Sequence, residues 1–69
     1  MDIRRQLARN LQALRQEKAW SQEDLADKAG LHRTYVSGVE RAIRNPTVLI
    51  VERLAKALGV PPADLFKGR

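Results

Sequence analysis

The 69-residue sequence contains no cysteine. No disulfide can staple the chain, and no thiolate can hold a metal. It has one histidine, and a lone ligand cannot build a zinc site, which takes about four. Ser21, Asp24 and His32 are too few and too local for a catalytic triad. Neither catalysis, a metal nor a cofactor is therefore expected. No stretch approaches the roughly 18 apolar residues of a membrane span. The opening Met1-Asp2-Ile3-Arg4-Arg5 alternates too quickly for the apolar core of a signal peptide. Strand alternation, internal repeats and low-complexity segments are also missing. What remains is one small cytoplasmic domain, stabilised by helix packing or by association.

Thirteen Lys and Arg stand against eight Asp and Glu, for a net charge of +5, and the sequence pI is about 10.5. A small basic domain suits a polyanion, either nucleic acid or an acidic membrane surface. Hydrophobic residues at 43% and charged residues at 30% suit a folded soluble chain.

Helical periodicity organises the chain. Ile3, Leu7, Leu11 and Leu14 form one apolar stripe, with Arg4, Arg5, Arg9, Gln12 and Gln16 opposite. This predicts a first helix from about Asp2 to about Glu17, with Ala19 in the stop region, where glycine is easier if the chain turns left-handed. Ser21-Gln22-Glu23-Asp24 reads as a capping box, and Trp20 with Leu25 has the spacing of a hydrophobic staple. A second helix is expected over Gln22 to Ala29, ended by Gly30. A third starts near Arg33, after the poor cap His32, and closes at Glu40-Arg41, with Val36 and Val39 inward. Thr47 can cap a fourth, Val48 to about Leu58, whose buried side is read as Leu49, Ile50, Leu54, Ala57 and Leu58. Gly59 stops it. A fifth short helix is expected over Ala63 to Phe66, with Pro62 in its first turn.

Two short helices joined at a glycine form a helix-turn-helix pattern. Leu25, Ala29, Leu31, Val36 and Val39 lock the pair, Ala26 is small where the helices cross, and Gly30 takes the turn, where a positive φ is needed. The stretch from Gln22 to Gly30, continued by Leu31 to Arg41, resembles the Xre/Cro/lambda-repressor family of DNA-binding domains. So do Leu11-Gln12-Ala13-Leu14-Arg15, Arg44-Asn45-Pro46-Thr47 and the run Leu54 to Val60. The resemblance spans about residues 7 to 66 of a single domain over 1–69. It implies an all-α, compact five-helix domain with its helix-turn-helix at helices 2 and 3. Within the family, the segment Arg33 to Arg41 also resembles that of restriction–modification controller proteins.

A recognition helix reads bases from its first turns in the major groove. Arg33 and Thr34 sit there, and Ser37 and Gly38 lie one turn later. Arginine can donate twice to guanine O6 and N7, and Thr34 offers a methyl and a hydroxyl. A cation at the positive end of a helix is disfavoured, which favours a base or phosphate contact for Arg33 over a merely solvated side chain. Mid-helix Gly38 points either to close approach of the DNA or to tight packing against another helix. Tyr35 is read either as a phosphate or sugar contact or as a half-buried core residue. The resemblance implies that Gln22 reaches a phosphate. It also implies that Arg44, Asn45 and Thr47 follow the DNA backbone, with Arg44 at the minor groove, although Ala42-Ile43 stand where glycine and a polar residue are common. It further implies that Arg15 and Glu40 form an ion pair bracing the third helix.

One copy contacts too few base pairs for genomic specificity, so a two-fold dimer on a near-palindromic duplex is expected. Its half-sites should lie about one helical turn apart. The C-terminal residues Val60, Pro61, Leu65 and Phe66 are read as the dimer surface, or as residues that close the core. No small-molecule effector site and no membrane contact is expected. A protein-holding module is the rival class, but the exposed side of the third helix is basic and polar rather than apolar.

Overall fold

The computed structural model describes residues 2–68. The domain expected over 1–69 therefore extends one residue beyond the described range at each end. Four α-helices run in chain order: α1 Ile3–Glu17, α2 Gln22–Ala29, α3 Arg33–Glu40 and α4 Val48–Leu58. A 3-10 helix, Pro62–Phe66, follows. The described residues contain no strand. The fifth helix is thus not an α-helix. The segment is only five residues long and begins with the second of two prolines, and it starts with an Asp64 N–H bond to the Pro61 carbonyl, three residues back, at 3.0 Å.

The helix starts follow their side chains. Asp2 accepts the Arg4 N–H, and Thr47 accepts the Ile50 N–H at 3.2 Å. Ser21 and Asp24 form a reciprocal capping box. The Ser21 N–H donated to Asp24 holds that carboxyl below its ordinary range. His32 caps α3 without any side-chain bond.

All four α-helices end alike. Ala19, Gly30, Ala42 and Gly59 turn left-handed, at φ 58°, 71°, 61° and 72°. The next residue then donates its N–H five residues back: Trp20 to Arg15, Leu31 to Ala26, Ile43 to Gly38 and Val60 to Ala55. This is the Schellman closure, in which the residue after the turn is usually apolar. Two of the four turns use alanine, whose Cβ is strained in this region by roughly 1–2 kcal/mol. Ala42→Gly is therefore expected to stabilise the domain by about 1 kcal/mol. Thermal denaturation should show a rise of roughly 4–8 °C, and an unchanged or lower midpoint would contradict the assignment of strain.

The core gathers Leu7, Leu11, Leu25, Val36, Val39, Leu54, Leu58 and Leu65. α1 packs on α3 and on the 3-10 helix, while α4 packs on α2 and closes against the same 3-10 helix. Trp20 and Leu31 pack on the core from its edge. Two apolar assignments need correction. Ile3 is 60% exposed and Leu49 is 71% exposed. The inner stripe of α4 is Val51, Leu54, Ala55 and Leu58, and at about 100° per residue Leu49 lies on nearly the opposite side. Ile3 lies on the apolar stripe of α1, but at a helix end that runs past the body of the core.

Candidate nucleic-acid interface

Position in the fold explains the outer face of α3. Val36 and Val39 are fully buried, which turns Arg33, Thr34 and Arg41 outward, all exposed, with Ser37 half-buried beside them. α2 crosses behind α3, and Gly30 makes the turn between them with its backbone in the left-handed region.

The brace behind α3 is the strongest polar feature. Arg15 Nε donates to Glu40 Oε2 at 2.7 Å, and Arg15 Nη2 donates to Oε1 at 3.0 Å. Such bidentate geometry is the strong form of an arginine–carboxylate pair. Arg15 Nη1 also donates to the Trp20 carbonyl at 2.7 Å. Gln22 Nε2 adds a third bond to the Glu40 carboxylate, at 3.1 Å. The two charged side chains are only 11% and 3% exposed. Bonding to Glu40 raises the Arg15 pKa above its already high ordinary value. One cluster thus joins α1, the turn after it, the start of α2 and the last residue of α3.

The other expected site residues fall into three groups. Arg33, Thr34, Asn45 and Thr47 are exposed. Thr47 uses its oxygen to cap α4 and keeps its hydroxyl proton free to donate. Gln22 lies in the brace, with its amide nitrogen committed to Glu40. Gly38, Tyr35 and Arg44 form one layer. A Cβ at Gly38 would stand 2.5 Å from Arg44 Cγ, and the Arg44 guanidinium lies 5.7 Å from the Tyr35 ring centroid. Gly38 is therefore covered by a loop side chain, not by another helix. Its carbonyl accepts both the Ile43 and Arg44 N–H groups, at 3.0 and 3.3 Å. Tyr35 is half-buried and packed on the core.

The C-terminal residues divide differently from the expected dimer surface. Leu65 is fully buried, with no exposure, and cannot contact a second copy. Val60 and Phe66 are half-buried against the core, and of the four Pro61 alone is exposed. The 3-10 helix exists to close the core, so its apolar side points inward.

Two features went unread in the sequence. Asn10, 1% exposed, donates to the carbonyls of Leu65 and Lys67 at 2.9 and 2.8 Å, tying the C-terminal segment to α1. Its signal was a polar residue on the Leu7–Leu11–Leu14 stripe. Lys18 and Lys28 place their ammonium groups 5.3 and 4.9 Å from the Trp20 ring centroid, within cation–π range. The Lys28 contact ties the last turn of α2 to the turn after α1. Among the described residues, no group of three or more His, Cys, Asp or Glu could hold a metal ion. None of their helices is long and apolar enough to cross a membrane.

A short helix, a left-handed glycine and a second helix braced from behind with its polar side outward define a helix-turn-helix protein. The helix-turn-helix family matches residues 11–65 of this chain, and the chain belongs to it, within its Xre type. A hypothetical transcription factor from Neisseria meningitidis is 51% identical over 65 residues, covering 94% of this chain and 61% of the relative. The chain thus spans somewhat under two thirds of that relative's length. The crystal structure of the restriction–modification controller protein C.AhdI from Aeromonas hydrophila superposes with a TM-score of 0.89 at 43% identity, covering 91% of this chain and 96% of that one. The controller protein C.Esp1396I, solved as a tetramer in complex with its natural 35-base-pair operator, gives a TM-score of 0.86 at 38% identity, with coverage of 96% and 87%.

Proposed function

We propose that this protein is a sequence-specific, double-stranded-DNA-binding transcription regulator that sets α3 into the major groove. The observation that carries this reading is the outward polar side at the start of α3, with Arg33 and Thr34 exposed and the helix braced from behind by the Arg15–Glu40 pair. Its role is binding, not catalysis. Arg33 and Thr34 at the start of α3 read base edges, and Ser37 contacts the same groove one turn later. Asn45 and Thr47 donate to the phosphate backbone that runs past the loop after α3. Arg44, stacked between Gly38 and Tyr35, presents its charge at the edge of this surface, and Gln22 adds its polar head beside the brace. The net charge of +5 supplies a salt-dependent affinity for any duplex. Two copies bind a near-palindromic operator, one α3 to each half-site. The likeness to C.AhdI along nearly its whole length supports a restriction–modification controller as the particular role.

Selection from a random DNA pool supplies the operator for the test. With that operator, fluorescence anisotropy of Arg33→Ala should show a loss of about 5- to 150-fold in preference at one base pair. Equal weakening on every sequence would move Arg33 to the phosphate contacts. Absence of salt-sensitive binding to any duplex by the unaltered protein would overturn the proposal.

A further inference from the structure

The first turns of α1 and the segment after the 3-10 helix enclose a cleft of about 500 Å3, a size typical of small-molecule sites. Asp2, Arg5, Gln6, Arg9, Asn10 and Lys67 line it. The Arg15–Glu40 brace lies at the other end of α1. Three observations point to a ligand. Arg5 and Arg9, four residues apart on one helix face, are exposed and form no ion pair among the described residues. Arg4 and Arg5 stand in the first turn of α1, which holds no acid, and cations at the positive end of a helix are disfavoured unless an anion joins them. Asn10 is 1% exposed, yet its Oδ1 has no hydrogen-bond partner among the described residues. Its Nδ2 donates to the carbonyls of Leu65 and Lys67, which fixes which end of the amide is oxygen. A buried acceptor without a donor is rare and costly.

The chemistry of the lining selects the ligand. Guanidinium groups only donate, so Arg5 and Arg9 call for an anion, and their geometry suits carboxylates. Asn10 Oδ1 and the Asp2 carboxylate only accept, so the same ligand must also carry a donor. No aromatic ring is among the described lining residues, so a nucleobase would find nothing to stack on. Three cations against one acid favour a ligand of net negative charge. We propose that this cleft binds a small acidic α-amino acid, with its carboxylates on Arg5 and Arg9 and its ammonium on Asp2 and Asn10 Oδ1. Lys67, whose ammonium pairs with Asp64 at 3.0 Å, adds charge at the rim. Oδ1 is shielded, so the ammonium reaches it as the long Gln6 and Lys67 side chains turn aside. The bound ligand fastens the C-terminal segment to α1 and stabilises the closed core. The sequence carries no expectation of such a site, because 57 positions separate Asn10 from Lys67. The site does not depend on the DNA-binding reading.

Isothermal titration calorimetry of the full chain with L-glutamate, at constant ionic strength, tests the site. One glutamate should bind per chain, saturably, with a Kd of about 1 mM or tighter. Glutarate has the same two carboxylates and no ammonium, and it should bind about 10- to 150-fold more weakly. Arg5→Gln combined with Arg9→Gln, at exposed positions, should keep the helical circular dichroism and lose at least about 10-fold in glutamate affinity. Arg53→Gln combined with Lys56→Gln removes the same charge from exposed positions of α4 and should bind glutamate normally. Absence of saturable binding would overturn the proposal, as would glutarate binding as tightly as glutamate. So would equal losses in the two double variants, which would reduce the effect to overall charge. Inorganic phosphate binding more tightly than glutamate would likewise overturn it, in favour of a plain oxyanion site.

Discussion

Glu40→Ala is expected to destabilise the domain by about 3–5 kcal/mol. The substitution leaves the Arg15 guanidinium without its carboxylate while still largely covered, at 11% side-chain exposure. It also strands the Gln22 amide that now donates to Glu40. Small single cores rarely supply more than about 3–5 kcal/mol in total, so most of the chain should be unfolded at room temperature. Urea denaturation followed by circular dichroism provides the measurement. Removing both charges together, as Arg15→Met with Glu40→Leu, should cost clearly less than Glu40→Ala, because no uncompensated charge remains. The double-mutant cycle then gives the coupling directly. A cost for Glu40→Ala below about 1 kcal/mol, the range of an exposed ion pair, would contradict the bracing role. Where the double variant folds, its DNA selectivity is informative too. Loss of the brace should loosen α3 and blunt base discrimination even though no group facing the duplex has changed.

Leu65→Ala is the second large effect, at about 2–5 kcal/mol. Leu65 is fully buried where the 3-10 helix meets α1 and α4. Its own carbonyl is fastened by Asn10 at 2.9 Å, which limits how far the backbone can move inward to fill the void. A cost near the upper end is therefore expected, enough by the same measure to leave most molecules unfolded at room temperature, as read by circular dichroism. The loss should be independent of protein concentration, as befits a core position. A loss that disappears as concentration rises would instead return Leu65 to an interface between copies.

The helices were legible because their signals are local. Capping boxes, apolar periodicity and stop residues act within about one turn, so α2 and α4 have the bounds expected for them. The Arg15–Glu40 pair, implied by family resemblance, is present with bidentate geometry. The outer side of α3 follows from Val36 and Val39 turning inward. Harder to read were residues whose environment depends on elements distant in the chain. Leu49 and Leu65 are both leucines near the ends of short helices, and their composition is no guide to their opposite fates. Asn10 is buried because a carbonyl 55 residues away meets it. Gly38 looked like a position for close approach, and what approaches in this structure is the Arg44 side chain.

By itself, the sequence determined the all-helical class, the helix-turn-helix, its polar reading side and the basic charge that suits DNA. Periodicity, capping and net charge need no tertiary partner to take effect. The tertiary structure decided which apolar residues close the core and which stay in solvent. It withdrew Leu65 from the surface and left Ile43, Val48 and Leu49 on it. Burial depends on where α1, α4 and the 3-10 helix meet, a relation between segments that no local pattern encodes.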